Sequence, residues 1–140
     1  MGTAPHDLEW LLTDFVQRAI GARRALVTST DGLKVANHNL DGKGAADTLS
    51  AIASGLHSLA LGAAMLLGES GGMRQVIVEL DEGHLFVMAA GPGALLSVLA
   101  GDEADVGQVS YEMSLLVRQV PGYLSVASRP EPVAAGKPAQ

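Results

Sequence analysis

At 140 residues the chain has the length of a single domain, and its 48% hydrophobic content is enough to bury a core, which excludes a disordered regulator. A formal net charge of -6 argues against nucleic acid as a partner, because an acidic surface repels phosphate. The absence of cysteine removes disulfides, thiolate catalysis and cysteine-based zinc sites.

Charged residues make up only 17% of the chain, less than the surface of a lone domain normally carries, so part of that surface is expected to be covered by another chain. Arg18, Arg23, Arg24 and Lys34 are interspersed with acids and read as solvated surface. The N-terminus, Met1 to Asp7, lacks the basic-then-apolar pattern of a secretion signal, and a cytoplasmic location is expected.

In chain order, Leu8, Leu11, Leu12, Phe15, Val16 and Ile20 recur at helical spacing, with Asp7 placed to cap the helix and Gly21 to end it. Two strands follow, Ala25 to Thr30 and Leu33 to Ala36, joined by Asp31-Gly32, a pair that tolerates the positive φ of a tight turn. A long helix is expected from Ala45 to Leu67, with no charged residue between Asp47 and Glu69. One of its faces is Leu49, Ile52, Leu56, Leu59, Ala63 and Leu67. The other is a row of small residues, Ser50, Ser54, Ser58 and Gly62, at i, i+4 spacing. Its length would suffice to span a bilayer, but three serines, His57, two glycines and the lack of flanking basic clusters argue against an integral membrane segment. The spacing instead predicts a helix buried on two sides, its leucine face on a sheet and its small-residue row against another backbone.

Three strands in meander order come next, Gln75 to Leu80, His84 to Ala89 and Ala94 to Ala100, turned by Asp81-Glu82-Gly83 and Gly91-Pro92-Gly93. Apolar residues at successive positions in the last two predict a sheet covered on both faces. A last helix begins after the acids Asp102, Glu103 and Asp105, which suit the positive end of a helix dipole, and is expected to stop at Pro121-Gly122. From Ser128 the Pro, Ala and Gly content predicts a disordered tail. The fold class is therefore α/β (α+β): a five-stranded, mostly antiparallel sheet with helices on both faces, one domain over 7–127 and a tail over 128–140.

The residues offer no catalytic constellation. None of the four histidines has a second histidine or carboxylate at helical metal-site spacing, so no metal is expected. His57 reads as an interface or partly buried residue, and His38 and His84, at strand ends, as exposed ones. Neither Gly68-Glu69-Ser70-Gly71-Gly72 nor Gly91-Pro92-Gly93 is followed by the lysine and hydroxyl of a phosphate loop, and no serine sits in a nucleophile elbow. No cofactor and no enzymatic activity are expected.

Element order and local wording together resemble the Roadblock/dynein light chain family, small profilin-like domains that regulate or scaffold Ras-like GTPases. The resemblance rests on Gly21-Ala22 with the hairpin Ala25 to Ala36, on the small-residue helix Ala45 to Leu67, and on Gly93 to Ala100 with Gly107 and Glu112-Met113. It covers roughly residues 7–124. It implies a homodimer whose central helices pair and whose middle strands join two sheets into one. It also implies a bacterial setting alongside a small GTPase, often with a sensor-kinase-like partner. Some relatives accelerate GTP hydrolysis by reshaping the GTPase, and others only tether it. No catalytic residue carries over. The interface expected for this chain is Ser50, Ser54, His57, Ser58, Leu61, Gly62 and Met65 on the helix with Gln75, Ile77 and Glu79 on the strand. The alternative function weighed is a small-molecule sensor domain, for which the strands offer mainly Gln75, Glu79 and Ser97 as polar groups.

Overall fold

The computed structural model of the protein describes residues 7–42, 44–68 and 71–128. Its elements are α1 (Leu8–Arg18), β1 (Ala22–Ser29), β2 (Lys34–His38), α2 (Ala45–Leu67), β3 (Gln75–Leu80), β4 (Gly83–Ala89), β5 (Ala94–Gly101), α3 (Val106–Val117) and α4 (Val120–Ser128). The sheet runs β2-β1-β5-β4-β3 with every neighbouring pair antiparallel. β2 and β3 are thus the edges, and the first strand made lies beside the last.

Alternation of side chains sends the strands' apolar residues to two separate cores. Ala25, Val27, Phe86, Met88, Leu96 and Val98 face α1, α3 and the start of α4, closing around Leu12, Phe15, Met113, Leu116 and Val120. On the other face Leu26, Leu85, Val87 and Leu95 lie under Ala46, Leu49 and Ala53 of α2. Both faces are covered, as the unbroken apolar runs in β4 and β5 predict.

The local chemistry explains most boundaries. Asp7 accepts from the Trp10 amide at 2.9 Å and Asp105 from the Gln108 amide at 3.0 Å, so each starts its helix as an N-cap. α1 stops at Arg18 and leaves Ile20 exposed, because the chain must turn at Gly21, whose φ of 92° suits glycine. That turn also lies hard against Ala104: a Cβ on Gly21 would come 2.4 Å from the Ala104 Cβ.

One expectation needs correction. The last helix ends at Val117 rather than at Pro121-Gly122, and α4 starts at Val120. Pro121 sits in the first turn of α4, where a missing N–H costs no hydrogen bond, so proline opens a helix here instead of ending one. The expected tail over 128–140 lies outside the described residues except for Ser128, which closes α4.

Candidate functional site: the outer face of α2 and the β3 edge

α2 is 23 residues long, with a mean hydropathy of 1.6 over its best 18-residue stretch, yet only 17% of that stretch is buried. A helix that apolar and that uncovered marks surface available to another body.

Its orientation reverses much of the expected division of labour. Ser50 is 1% exposed and its hydroxyl bonds back to the Ala46 carbonyl at 2.7 Å. Ser54 is half-buried and donates to the Thr30 carbonyl at 2.9 Å, across to the β1–β2 turn. The turn's Gly32 lies close enough that an added Cβ would touch Ser54. The N-terminal half of the small-residue row is therefore packed within its own chain, and Ser50 has almost no exposed surface. Ser58 and Gly62, further along, are exposed.

The leucine face splits in the same way. Leu49 is buried and Leu56 half-buried, while Ile52 and Leu59 point outward, Leu59 with 74% of its surface exposed. Beyond them Met65 is exposed, and Leu66 and Leu67 are 89% and 91% exposed. His57 and Leu61 are half-buried.

Among the described residues β3 pairs only with β4, and its other edge is open. Leu80 and Gly83 flank a two-residue turn and form a hydrogen-bonded pair, so Val78 and Val76 also bond to β4. The main-chain groups of Gln75, Ile77 and Glu79 then face outward. All three side chains are exposed on the sheet face opposite α2, and the Ser110 hydroxyl donates to the Gln75 side-chain Oε1 at 3.4 Å. The structure thus brings Ser58, Gly62, Met65, Gln75, Ile77 and Glu79 to the surface, on one helix and one neighbouring edge.

Electrostatics sets the rest of the surface. Arg18 bonds Asp14 at 2.8 Å and Glu112 at 2.5 Å, and the Asp14 hydrogen bond leads in raising the Arg18 pKa. Glu103 is held below the usual glutamate range, first by a bond to its own main chain and then by Arg23 at 3.1 Å. Between Arg24 and the β3–β4 turn lies a shallow depression of about 300 Å³, floored by Leu80, Leu99 and Ala100 and rimmed by Arg23, Arg24 and Glu82. Reading the arginines as plain solvated surface misses it, because only the sheet order brings β1 and β3 residues to one hollow.

The histidines at strand ends are less exposed than their positions suggest. His38 is half-buried, with Nδ1 3.0 Å from the Thr13 hydroxyl oxygen. That hydroxyl gives its one proton to the Glu9 carbonyl, so the imidazole N–H is the donor to Thr13. His84 is also half-buried, its ring 6.0 Å from that of Phe86. Among the described residues, no three His, Asp or Glu side chains gather closely enough to hold a metal ion. Gly91-Pro92-Gly93 is the β4–β5 turn, with positive φ at both glycines.

The family model described as Roadblock/LC7 domain matches residues 8–100. A Roadblock/LC7 domain from Streptomyces avermitilis is 47% identical, with 84% of this chain and 98% of that one covered and a TM-score of 0.79. A second Roadblock/LC7 domain from the same organism is 39% identical, with 80% and 96% covered and a TM-score of 0.65. The gliding protein MglB from Thermus thermophilus shares the fold at 22% identity, with 88% and 92% covered and a TM-score of 0.75. The architecture is also the profilin-like one that the element order predicts. No curated protein matches the sequence. Five antiparallel strands in this order, an uncovered central helix and a close match along most of the chain lead to one conclusion: the protein belongs to the Roadblock/LC7 domain family.

Proposed function

We propose that the protein is a non-catalytic homodimeric adaptor that regulates or tethers a Ras-like small GTPase in bacterial cytoplasmic signalling, in places together with a sensor-kinase-like protein. The observation that carries this reading is the apolar ridge of α2, Ile52, Leu59, Ala63 and Leu66, running out beside the open edge of β3. A second copy supplies what such a surface lacks: a facing helix for the ridge and a strand for the edge. The seam then uses the leucine side of α2 with Gly62, Met65 and the β3 edge, and leaves out Ser50 and Ser54. Family membership supports the GTPase as the further partner, and the paired helices offer it one broad face.

The small-molecule alternative has one observation in its favour, the depression beside Arg24. At about 300 Å³ it is at the bottom of the range for ligand pockets.

A Leu59→Arg variant tests the seam, since it places a charge in the middle of the ridge without touching either core. It is expected to be monomeric by light scattering with an unchanged circular dichroism spectrum. A variant that stays dimeric sinks the helix-seam reading. A pull-down from native extract on the wild-type dimer should capture a small GTPase, and its loss with Leu59→Arg ties binding to the dimer.

A further inference from the structure

We propose that two copies of the chain pair their β3 edges in the register that sets Ile77 against Ile77 of the partner subunit. In it Arg74 of each chain is held by Glu82 of the other, and these charges make the edge select its own copy. This rests on the dimer proposed above and adds which residues meet in it.

The open edge limits the choice. Gln75, Ile77 and Glu79 turn their main-chain groups outward, so in an antiparallel pair these residues must oppose one another. A register centred on Ile77 joins Gln75 to Glu79, Ile77 to Ile77 and Glu79 to Gln75, with about six hydrogen bonds in all. Centring it on Val76 or Val78 leaves about four within the strand.

The charges along the edge select the same arrangement. β3 is preceded by Arg74 and runs into Glu79, Asp81 and Glu82, so its head is basic and its tail acidic. Among the described residues Arg74, Glu79, Asp81 and Glu82 make no ion pair. Parallel strands would set acids beside acids, whereas antiparallel strands bring each head to the other's tail.

Each face of the seam has its own chemistry. On the face opposite α2, the Gln75 Oε1 accepts from Ser110, which leaves the amide N–H groups of Gln75 to donate. The partner's Glu79 stands directly across, its Cβ about 5 Å away in an opposed pair. Ile77, 40% exposed in the single chain, is covered by its own copy between these pairs. On the α2 face, the Ala89 amide donates to the Arg74 carbonyl, so Arg74 continues the ladder and alternation places its side chain beside Val76. In the centred register it opposes Leu80 of the partner subunit. Glu82, in the turn just beyond Leu80, borders a depression with Leu80 and Leu99, which puts it on this face. The guanidinium of Arg74 is then a neighbour of the partner's Glu82, and the two-fold axis makes the contact twice.

Arg74→Glu and Glu82→Arg test the selection. Each variant alone sets like charges together at both ends of the seam and should dimerise roughly tenfold more weakly than wild type by sedimentation. Mixed together, the two variants restore opposite charges at both ends and should form a mixed dimer of wild-type strength. The chain has no cysteine, so single thiols read the register. Ile77→Cys, mildly oxidised, should give a covalent dimer on a non-reducing gel, since opposed residues lie about 5.5 Å apart at Cα. Gln75→Cys should not, because its copies are about four residues, roughly 13 Å, apart along the seam. Wild-type protein that is monomeric overturns the dimer itself. A wild-type dimer in which Ile77→Cys does not cross-link overturns the register, and mixed variants no stronger than either alone overturn the charge selection. If Ile77→Cys loses its fold by circular dichroism, Gln75→Cys combined with Glu79→Cys reads the same register.

Discussion

Ser54 gives its hydroxyl proton to the Thr30 carbonyl, a bond out of the helix that holds this side of α2 toward the β1–β2 turn. Replacing Ser54 with alanine leaves the Thr30 carbonyl without that donor and should cost about 1 kcal/mol in urea denaturation, with no change in association. Gly21 is the stricter position, because its positive φ coincides with contact against Ala104. Gly21→Ala is expected to lose about 3 kcal/mol, combining the backbone penalty with a steric one. Glu103 makes a pH-dependent contribution whose sign is fixed. Its folded pKa is lowered, so its stabilisation is present above the ordinary glutamate range and fades as pH falls through the folded value. Because Glu103 is exposed, Glu103→Gln should shift the acid limb of a thermal-unfolding series only slightly, and the two curves should merge at low pH.

At the scale of elements, β3 and α2 must be read together. Ile77→Pro removes an N–H that faces the open edge, which an edge strand tolerates, so the chain should stay folded but lose its dimer. Val78→Pro removes a bond to β4 and should unfold the chain or destabilise it strongly. Circular dichroism and light scattering on the pair separate the two effects. Period and turn chemistry made the strands and helices legible in the sequence: Asp31-Gly32, Gly91-Pro92-Gly93 and the leucine spacing of α1 each name their element. The facing of α2 was not legible. Its serine row and its leucine face are both plausible inner surfaces by spacing, and the structure divides each of them, burying Leu49 with Ser50 and leaving Leu59 with Ser58 outside. Pro121 misled because proline stops one helix and starts another with equal ease. The depression beside Arg24 was hidden because its rim comes from strands far apart in the sequence.

For the whole molecule, low charge and an uncovered apolar helix lead to the same expectation. Light scattering at tens of micromolar should report a mass twice 14.4 kDa. Neither Gly68 to Gly72 nor Gly91 to Gly93 is followed by the lysine and hydroxyl of a phosphate loop, so calorimetry with GTP or ATP should show no specific heat. Micromolar nucleotide binding would overturn the adaptor reading.

The sheet order has a consequence for how the chain is made. β1 lies inside the sheet, and its inner neighbour, the central strand β5, is the last strand to leave the ribosome. Until residues 94–101 emerge, β1 has only the edge strand β2 for company, and α2 has no finished floor to lie on. The most apolar helix of the protein is therefore synthesised early and sheltered late. Chains interrupted in the β4–β5 turn should fail to fold and should aggregate, whereas the completed chain folds as one unit, because its central pairing joins two distant ends.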